Sequence, residues 1–150
     1  MNKIDQIILV DNNHTSTSSI IKALEESGCI ENIKTAVNGE HALLCLDHLD
    51  LYKRMKGRRV MVILNTTCGM DFLEGYKWKK YPSKEEILIA VTDNSAKENI
   101  DKARLLGAVD ILSTPLKTSE IMDLAERHFD EKAPKERVVR RKVENRQLSA

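Results

Sequence analysis

Five short apolar runs punctuate this chain, and each is followed by a longer amphipathic stretch. The runs cover residues 6–10, 32–36, 60–64, 87–91 and 109–112. Those at 6–10, 60–64 and 87–91 are almost continuously apolar. That pattern suits strands covered on both faces of a parallel sheet better than half-exposed antiparallel ones, which alternate. The intervening stretches read as helices. The first follows the polar cluster 14–19, carries Ile20, Ile21 and Leu24, and stops at Gly28. The second opens at Asn38-Gly39 and places Ala42, Leu46 and Leu49 at helical spacing. The third is predicted from Asp71, with Asp71 and Glu74 in capping-box register and Phe72, Leu73 and Tyr76 on its apolar side. The fourth has Ser95 and Glu98 as its box, then Ile100, Ala103 and Leu106 before Gly107 as the C′ residue. The fifth runs from about Thr118 with Ile121, Leu124, Ala125 and Phe129 on one stripe. Strand and helix in strict alternation imply an α/β fold, a doubly wound five-stranded parallel sheet with right-handed crossovers and five helices.

The bulk properties narrow the function classes. The chain has 150 residues, the size of one domain, with 41% hydrophobic and 31% charged residues and a formal net charge of +1. Such a balance gives no global reason to expect nucleic acid or a membrane as partner. The N-terminus shows no signal-peptide pattern, and no apolar stretch approaches the roughly 20 residues that span a bilayer. Cys29, Cys45 and Cys68 form no CxxC pair and read as reduced structural thiols, so a cytoplasmic protein without a zinc site is expected. Residues 1–130 are assigned to the domain and 131–150 to a basic C-terminal tail. The tail carries Lys135, Arg137, Arg140, Arg141, Lys142 and Arg146 against Glu136 and Glu144. Pro134 at N1 with Val139 and Val143 is consistent with a further helix, and a solvated, disordered end is equally consistent.

In an open α/β sheet, ligands gather at the carboxyl ends of the strands near the topological switch point. The residues there are Asp11, Asn12 and Asn13 after the first run and Asn65, Thr66 and Thr67 after the third. Thr92-Asp93 follow the fourth, with Asp93 expected to face the next loop, and Ser113-Thr114-Pro115 follow the fifth. Of the residues following the first and third runs, only Asp11 is a carboxylate. A hydrolase or transferase would need a nucleophile and base in contact, and Asp11, Asp93, Thr66, Thr67 and Thr92 have no His nearby in sequence. His14, His41, His48 and His128 are scattered, with no metal-ligand spacing. Trp78 and Tyr81, set among lysines, imitate a nucleic-acid patch, but a third helix with snorkelling lysines explains them as well. The tail lacks an aromatic to stack on a base, so nucleic acid is not an expected partner.

The motifs at these positions resemble the receiver domain of two-component response regulators, the CheY-like family, over about residues 4–129. They are Ile-Leu-Val-Asp11, Asn38-Gly39-Glu40-His41-Ala42-Leu43, Gly69-Met70-Asp71 with Phe72-Leu73-Glu74, Ala90-Val91-Thr92 and Thr114-Pro115-Leu116. The resemblance implies the flavodoxin-like strand order 2-1-3-4-5. It also implies a site in which a carboxylate pair after strand one holds Mg²⁺ and an aspartate ending strand three accepts a phosphoryl group. A Thr or Ser after strand four and a Lys before the Pro after strand five bind the phosphoryl oxygens.

Carried over by position, the chain keeps Asp11 and Thr92. Asn12 stands at the second acidic place, Asn65 at the phospho-acceptor and Thr114, before Pro115, at the lysine. Ile111 occupies the aromatic switch position. The loop after Asn65 is one residue short, with Cys68 where a proline is common. An acyl phosphate forms only on a carboxylate, and Mg²⁺ wants anionic oxygens. The expectation is therefore a degenerate, single-domain pseudo-receiver without enzymatic activity, catalytic residues, resident metal or cofactor. It would act in phosphorelay signalling by protein–protein interaction through the face of the fourth helix, fifth strand and fifth helix. Its partner would be a histidine kinase, another receiver or a downstream target. The alternative is a phospho-switch with an atypical acceptor, in which case Mg²⁺ would bind weakly at Asp11. Asp71 is the other carboxylate near the third strand, but it belongs more naturally to the start of the third helix.

Overall fold

The computed structural model describes residues 4–28, 30–51, 58–79, 87–93 and 96–131. Within them, β1 (Ile4–Val10), β2 (Ile30–Ala36), β3 (Val60–Leu64), β4 (Ile87–Thr92) and β5 (Asp110–Leu112) alternate with helices. These are α1 (His14–Ser27), α2 (Gly39–Leu51), α3 (Thr66–Tyr76), α4 (Lys97–Leu105) and α5 (Thr118–Glu131). All strand pairs are parallel, in the order β2-β1-β3-β4-β5. The expected doubly wound fold is the observed one. Residues 132–150, and with them nearly all of the basic tail, lie outside the described residues, as do Cys29, Tyr81 and Ser95.

The sheet has two cores because successive side chains on a strand point to opposite faces. Ile8 and Val10 of β1, Val62 and Leu64 of β3, and Ile89 and Val91 of β4 face one side. There they meet Ala42, Leu46 and Leu49 of α2, Phe72, Leu73 and Tyr76 of α3, and Ala103 of α4. Ile7, Leu9, Met61, Ile63, Leu88 and Ala90 face the other side, against Ile20 and Leu24 of α1 and Ile121, Leu124, Ala125 and Phe129 of α5. Every residue of β3 and β4 is buried, which explains why those runs carry no polar alternation. Burying each Ile or Leu stabilises the fold by about 1.5–3 kcal/mol.

Helix ends follow local chemistry. Asn38 caps α2, with its Oδ1 accepting from His41 N at 2.8 Å. Gly28 (φ 71) and Gly107 (φ 119) turn the chain after α1 and α4 through positive φ, which side-chain-bearing residues disfavour. The N-cap of α4 is Ala96, which makes no side-chain cap. Ser95, the residue expected to supply one, is outside the described residues.

Candidate functional site

The carboxyl ends of the two central strands form the floor of the site. Asp11 N donates to Ala36 O at 3.0 Å and Asn65 N donates to Val10 O at 3.1 Å, which carries the ladders one residue past β1 and β3. Asp11 is half-buried, and its Oδ1 accepts from Asn13 N at 3.0 Å in an Asx turn.

Asn65 has a structural task that the sequence did not reveal. Its backbone is extended (φ −88°, ψ 119°) and its Oδ1 accepts from Thr67 N at 3.0 Å, making it the N-cap of α3. The helix therefore starts at Thr66, and the expected start at Asp71 is wrong. The residues after Asn65 are the first turn of α3 and not a loop. Its first turn closes as Cys68 N and Gly69 N donate to Asn65 O at 3.1 and 2.8 Å. Gly69 allows this turn to lie against the sheet, since a Cβ there would sit 3.0 Å from Leu64 Cβ. Asp71, one turn on, is exposed and accepts from Gly39 N at 3.1 Å, tying α3 to the start of α2.

Across the floor, Thr92 is buried at the end of β4. Asp93 does not face the next loop as expected. Its Oδ1 accepts from both Thr114 N (3.0 Å) and Thr114 Oγ1 (2.7 Å), so it reaches across to the β5–α5 loop. On the other side of that loop, Ser113 N and Oγ donate to Glu120 Oε1 at 3.2 and 2.5 Å. Two carboxylates thus hold the loop that carries the cis Thr114–Pro115 bond.

Asp11, Asn65, Thr92, Thr114 and Pro115 line one cavity of about 410 Å³. Its remaining wall includes Thr17, Ser19, Ile20 and Ala23 of α1, which the sequence reading did not assign to the site. The signal available was the run of short polar residues before Ile20, whose small volumes leave space above β1. Asn12 is exposed and does not line the cavity. Ile111 is half-buried and packs into the core on the α2–α4 side.

The donor set suits Mg²⁺ poorly. The lining offers a single carboxylate, Asp11, while the Asn65 carbonyl is engaged in capping and Asn12 stands outside. Mg²⁺ is usually held by one or two carboxylates together with water and a substrate phosphate, and among the described lining residues Asp11 alone is a carboxylate. Among the described residues, no three His, Cys, Asp or Glu side chains come together as a metal site. Cys68 is also a weak nucleophile. Burial pushes its thiol pKa up, the backbone hydrogen bond from Asn12 works against this, and the nearby carboxylates of Asp11 and Asp71 raise it further.

Of the remaining candidates, two histidines make local contacts. His41 Nδ1 accepts from Val37 N at 3.4 Å, and His128 Nε2 lies 3.5 Å from Asp110 Oδ2. Trp78 falls beyond the end of α3 and is 78% exposed, so it is not the helix residue expected. Lys77 Nζ stands 5.4 Å from its ring centroid, and Lys79 pairs with Asp47 at 3.0 Å. No helix among the described residues is long and apolar enough to cross a membrane.

No protein-family model matches the chain. It is 27% identical over 136 residues to hybrid signal transduction histidine kinase B of Dictyostelium discoideum, a match covering 80% of this chain and 6% of that protein's length. Among solved structures, a two-component response regulator from Cytophaga hutchinsonii superposes with a TM-score of 0.71 at 16% identity, covering 85% of this chain and 98% of that one. The signal receiver domain of a modulated diguanylate cyclase from Desulfovibrio desulfuricans superposes at 0.65 with 13% identity, covering 87% and 97%. NtrX from Brucella abortus superposes at 0.63 with 20% identity, covering 96% of this chain and 29% of that protein. At these identities the structural likeness is one of fold.

Proposed function

We propose that the chain is a receiver-like protein of cytoplasmic two-component signalling that acts by protein–protein interaction, without phosphorylation. The observation that carries this reading is how Asn65 and Thr114 are engaged. The Asn65 carbonyl caps α3, and Thr114 is bonded through both its N–H and its hydroxyl to Asp93. An amide cannot form an acyl phosphate, and a threonine brings no positive charge to a phosphoryl group. Support for the signalling context comes from the family named by the sequence relative and the structural neighbours.

With the β5–α5 loop held by Asp93 and Glu120, the domain stays in one arrangement and offers a constant surface. The α4-β5-α5 face is the proposed contact. It carries Leu105 of α4 at 88% exposure and the Asp110–Arg127 pair between β5 and α5, and apolar and charged side chains together are the composition of a protein contact. Its partner would be a histidine kinase, another receiver or a downstream target.

The test is intact-mass spectrometry after incubation with acetyl phosphate and Mg²⁺, on the chain itself and on Asn65→Asp. Neither should gain a phosphoryl group, because restoring the acceptor leaves the second acidic ligand and the lysine missing. A phosphoryl adduct on the unmodified chain would overturn the proposal. An adduct on Asn65→Asp alone would show that the metal site and the clamp still work.

A further inference from the structure

The cavity beside Asn65 is large, lies next to the sheet's switch point and has one carboxylate and no cationic side chain among its described lining residues. We propose that it binds a small cationic amphiphile, an apolar body ending in an amine. This rests on the reading of the pocket as silent toward phosphate. At about 410 Å³ it falls within the range of roughly 300–1,000 Å³ typical of small-molecule sites.

Its body is apolar, with Leu9, Ile20 and Ile63 from the α1 side of the sheet and Pro115 and Leu116 from the β5–α5 loop. At one end Asp11, Thr92 and Thr114 converge. Among the described lining residues there is one carboxylate and no Lys, Arg or His. An anion entering this end would meet Asp11 with no cationic side chain among the described lining residues to offset it, while an ammonium group would meet an opposite charge. The Thr114 hydroxyl adds to the preference. Its proton goes to Asp93, so toward a ligand it can only accept, and an amine supplies donors.

The space persists because the side chains of α1 facing it are short. Protein interiors are otherwise close-packed, and Thr17, Ser19 and Ala23 cannot reach across to the sheet. Ser19, Ala23, Thr114 and Pro115 are the exposed residues of the lining, so the cavity opens between α1 and the β5–α5 loop. The geometry gives a ligand an entrance between α1 and the β5–α5 loop, an apolar wall and one carboxylate.

The experiment titrates the ¹⁵N-labelled full chain at pH 7 with 3-phenylpropylamine, 3-phenylpropan-1-ol and 3-phenylpropanoate, which share a body and differ in charge. The amine should produce saturable amide shifts at Leu9, Asn65 and Leu116, the alcohol should bind more weakly, and the acid most weakly. Ala23→Leu should close the mouth and abolish the response to all three. Ser19→Leu is a second block should the first disturb the amide spectrum. Asp11→Asn keeps an oxygen acceptor for Asn13 N and should cut the preference for amine over acid by about tenfold. Equal binding of acid and amine, amine shifts that survive a folded blocking variant, or no saturable shift at the lining residues would each overturn the proposal. These outcomes are separate from the mass measurement. A phosphoryl adduct defeats the silent-site reading, whereas an unchanged mass with no amine response defeats only the ligand.

Discussion

The Oδ1 atom of Asn65 and the Cα of Gly39 show how much a single position can fix. Asn and Asp are equally good N-caps, so the closure of α3 accounts for a short acceptor at 65 without requiring the amide. Folding thus does not distinguish Asn from Asp at this position. At Gly39 the constraint is steric. A Cβ there would run into the Asp71 carboxylate and the backbone of Phe72, and a backbone cannot swing aside as a flexible side chain can. Gly39→Ala should therefore destabilise the protein by about 1–3 kcal/mol, read as a lower urea midpoint with unchanged slope. A change under about 0.5 kcal/mol would show that α2 and α3 can part at this point without cost. In the sequence, Asn38-Gly39 was legible as a helix start. The partner of Gly39, Asp71, was not, because the two meet only once α2 and α3 lie side by side on the sheet.

Among the elements, α3 was misread and α5 was read correctly, for related reasons. Asp71 and Glu74 imitate a capping box, while residues 66–69 (two threonines, a cysteine and a glycine) are weak helix formers. Local preference therefore pointed to a loop, and packing of Gly69 against Leu64 and Val10 decided for helix. In α5 the apolar stripe and the tertiary packing agree, so its pattern was unambiguous. The junction of α5 with β5 has its own electrostatics. Burial works to raise the Asp110 pKa, but the Ile111 N–H, Arg127 and His128 outweigh it and hold the carboxyl below its ordinary 3.8. A depressed carboxyl pKa stabilises the folded state above pH 3.8, and that contribution fades as the pH falls through the lowered value. Arg127 is 61% exposed, so solvent screens the pair. Arg127→Ala should cost about 0.5–1 kcal/mol at pH 7 and progressively less as the pH is brought below 3.8, measured by urea unfolding across that range. An equal loss throughout would assign the effect to packing of the arginine stem instead.

For the molecule as a whole, the sheet separates two cores, and that separation is measurable. Ile7→Val acts on the α1/α5 side and Ile89→Val on the α2–α4 side, each expected to cost about 0.5–1.5 kcal/mol. The double variant should match the sum within about 0.5 kcal/mol. A larger coupling would mean that the sheet transmits strain between its faces. The fold was legible because continuous apolar runs in strict alternation with amphipathic stretches leave few topologies open. The candidate site was legible only in part. Strand-end residues are marked by their place after an apolar run, but the α1 wall of the cavity depends on how a helix settles over β1, which no local pattern encodes. The sheet's borders carry a further consequence. At one border β5 is only three residues long, with Asp110 secured to Arg127; at the other, β2 turns Asn32, Lys34 and Thr35 to solvent. A short rung and a lysine-bearing rung are both poor templates for a foreign strand. Among the described residues, both borders of the sheet thus resist strand-to-strand pairing with a neighbour.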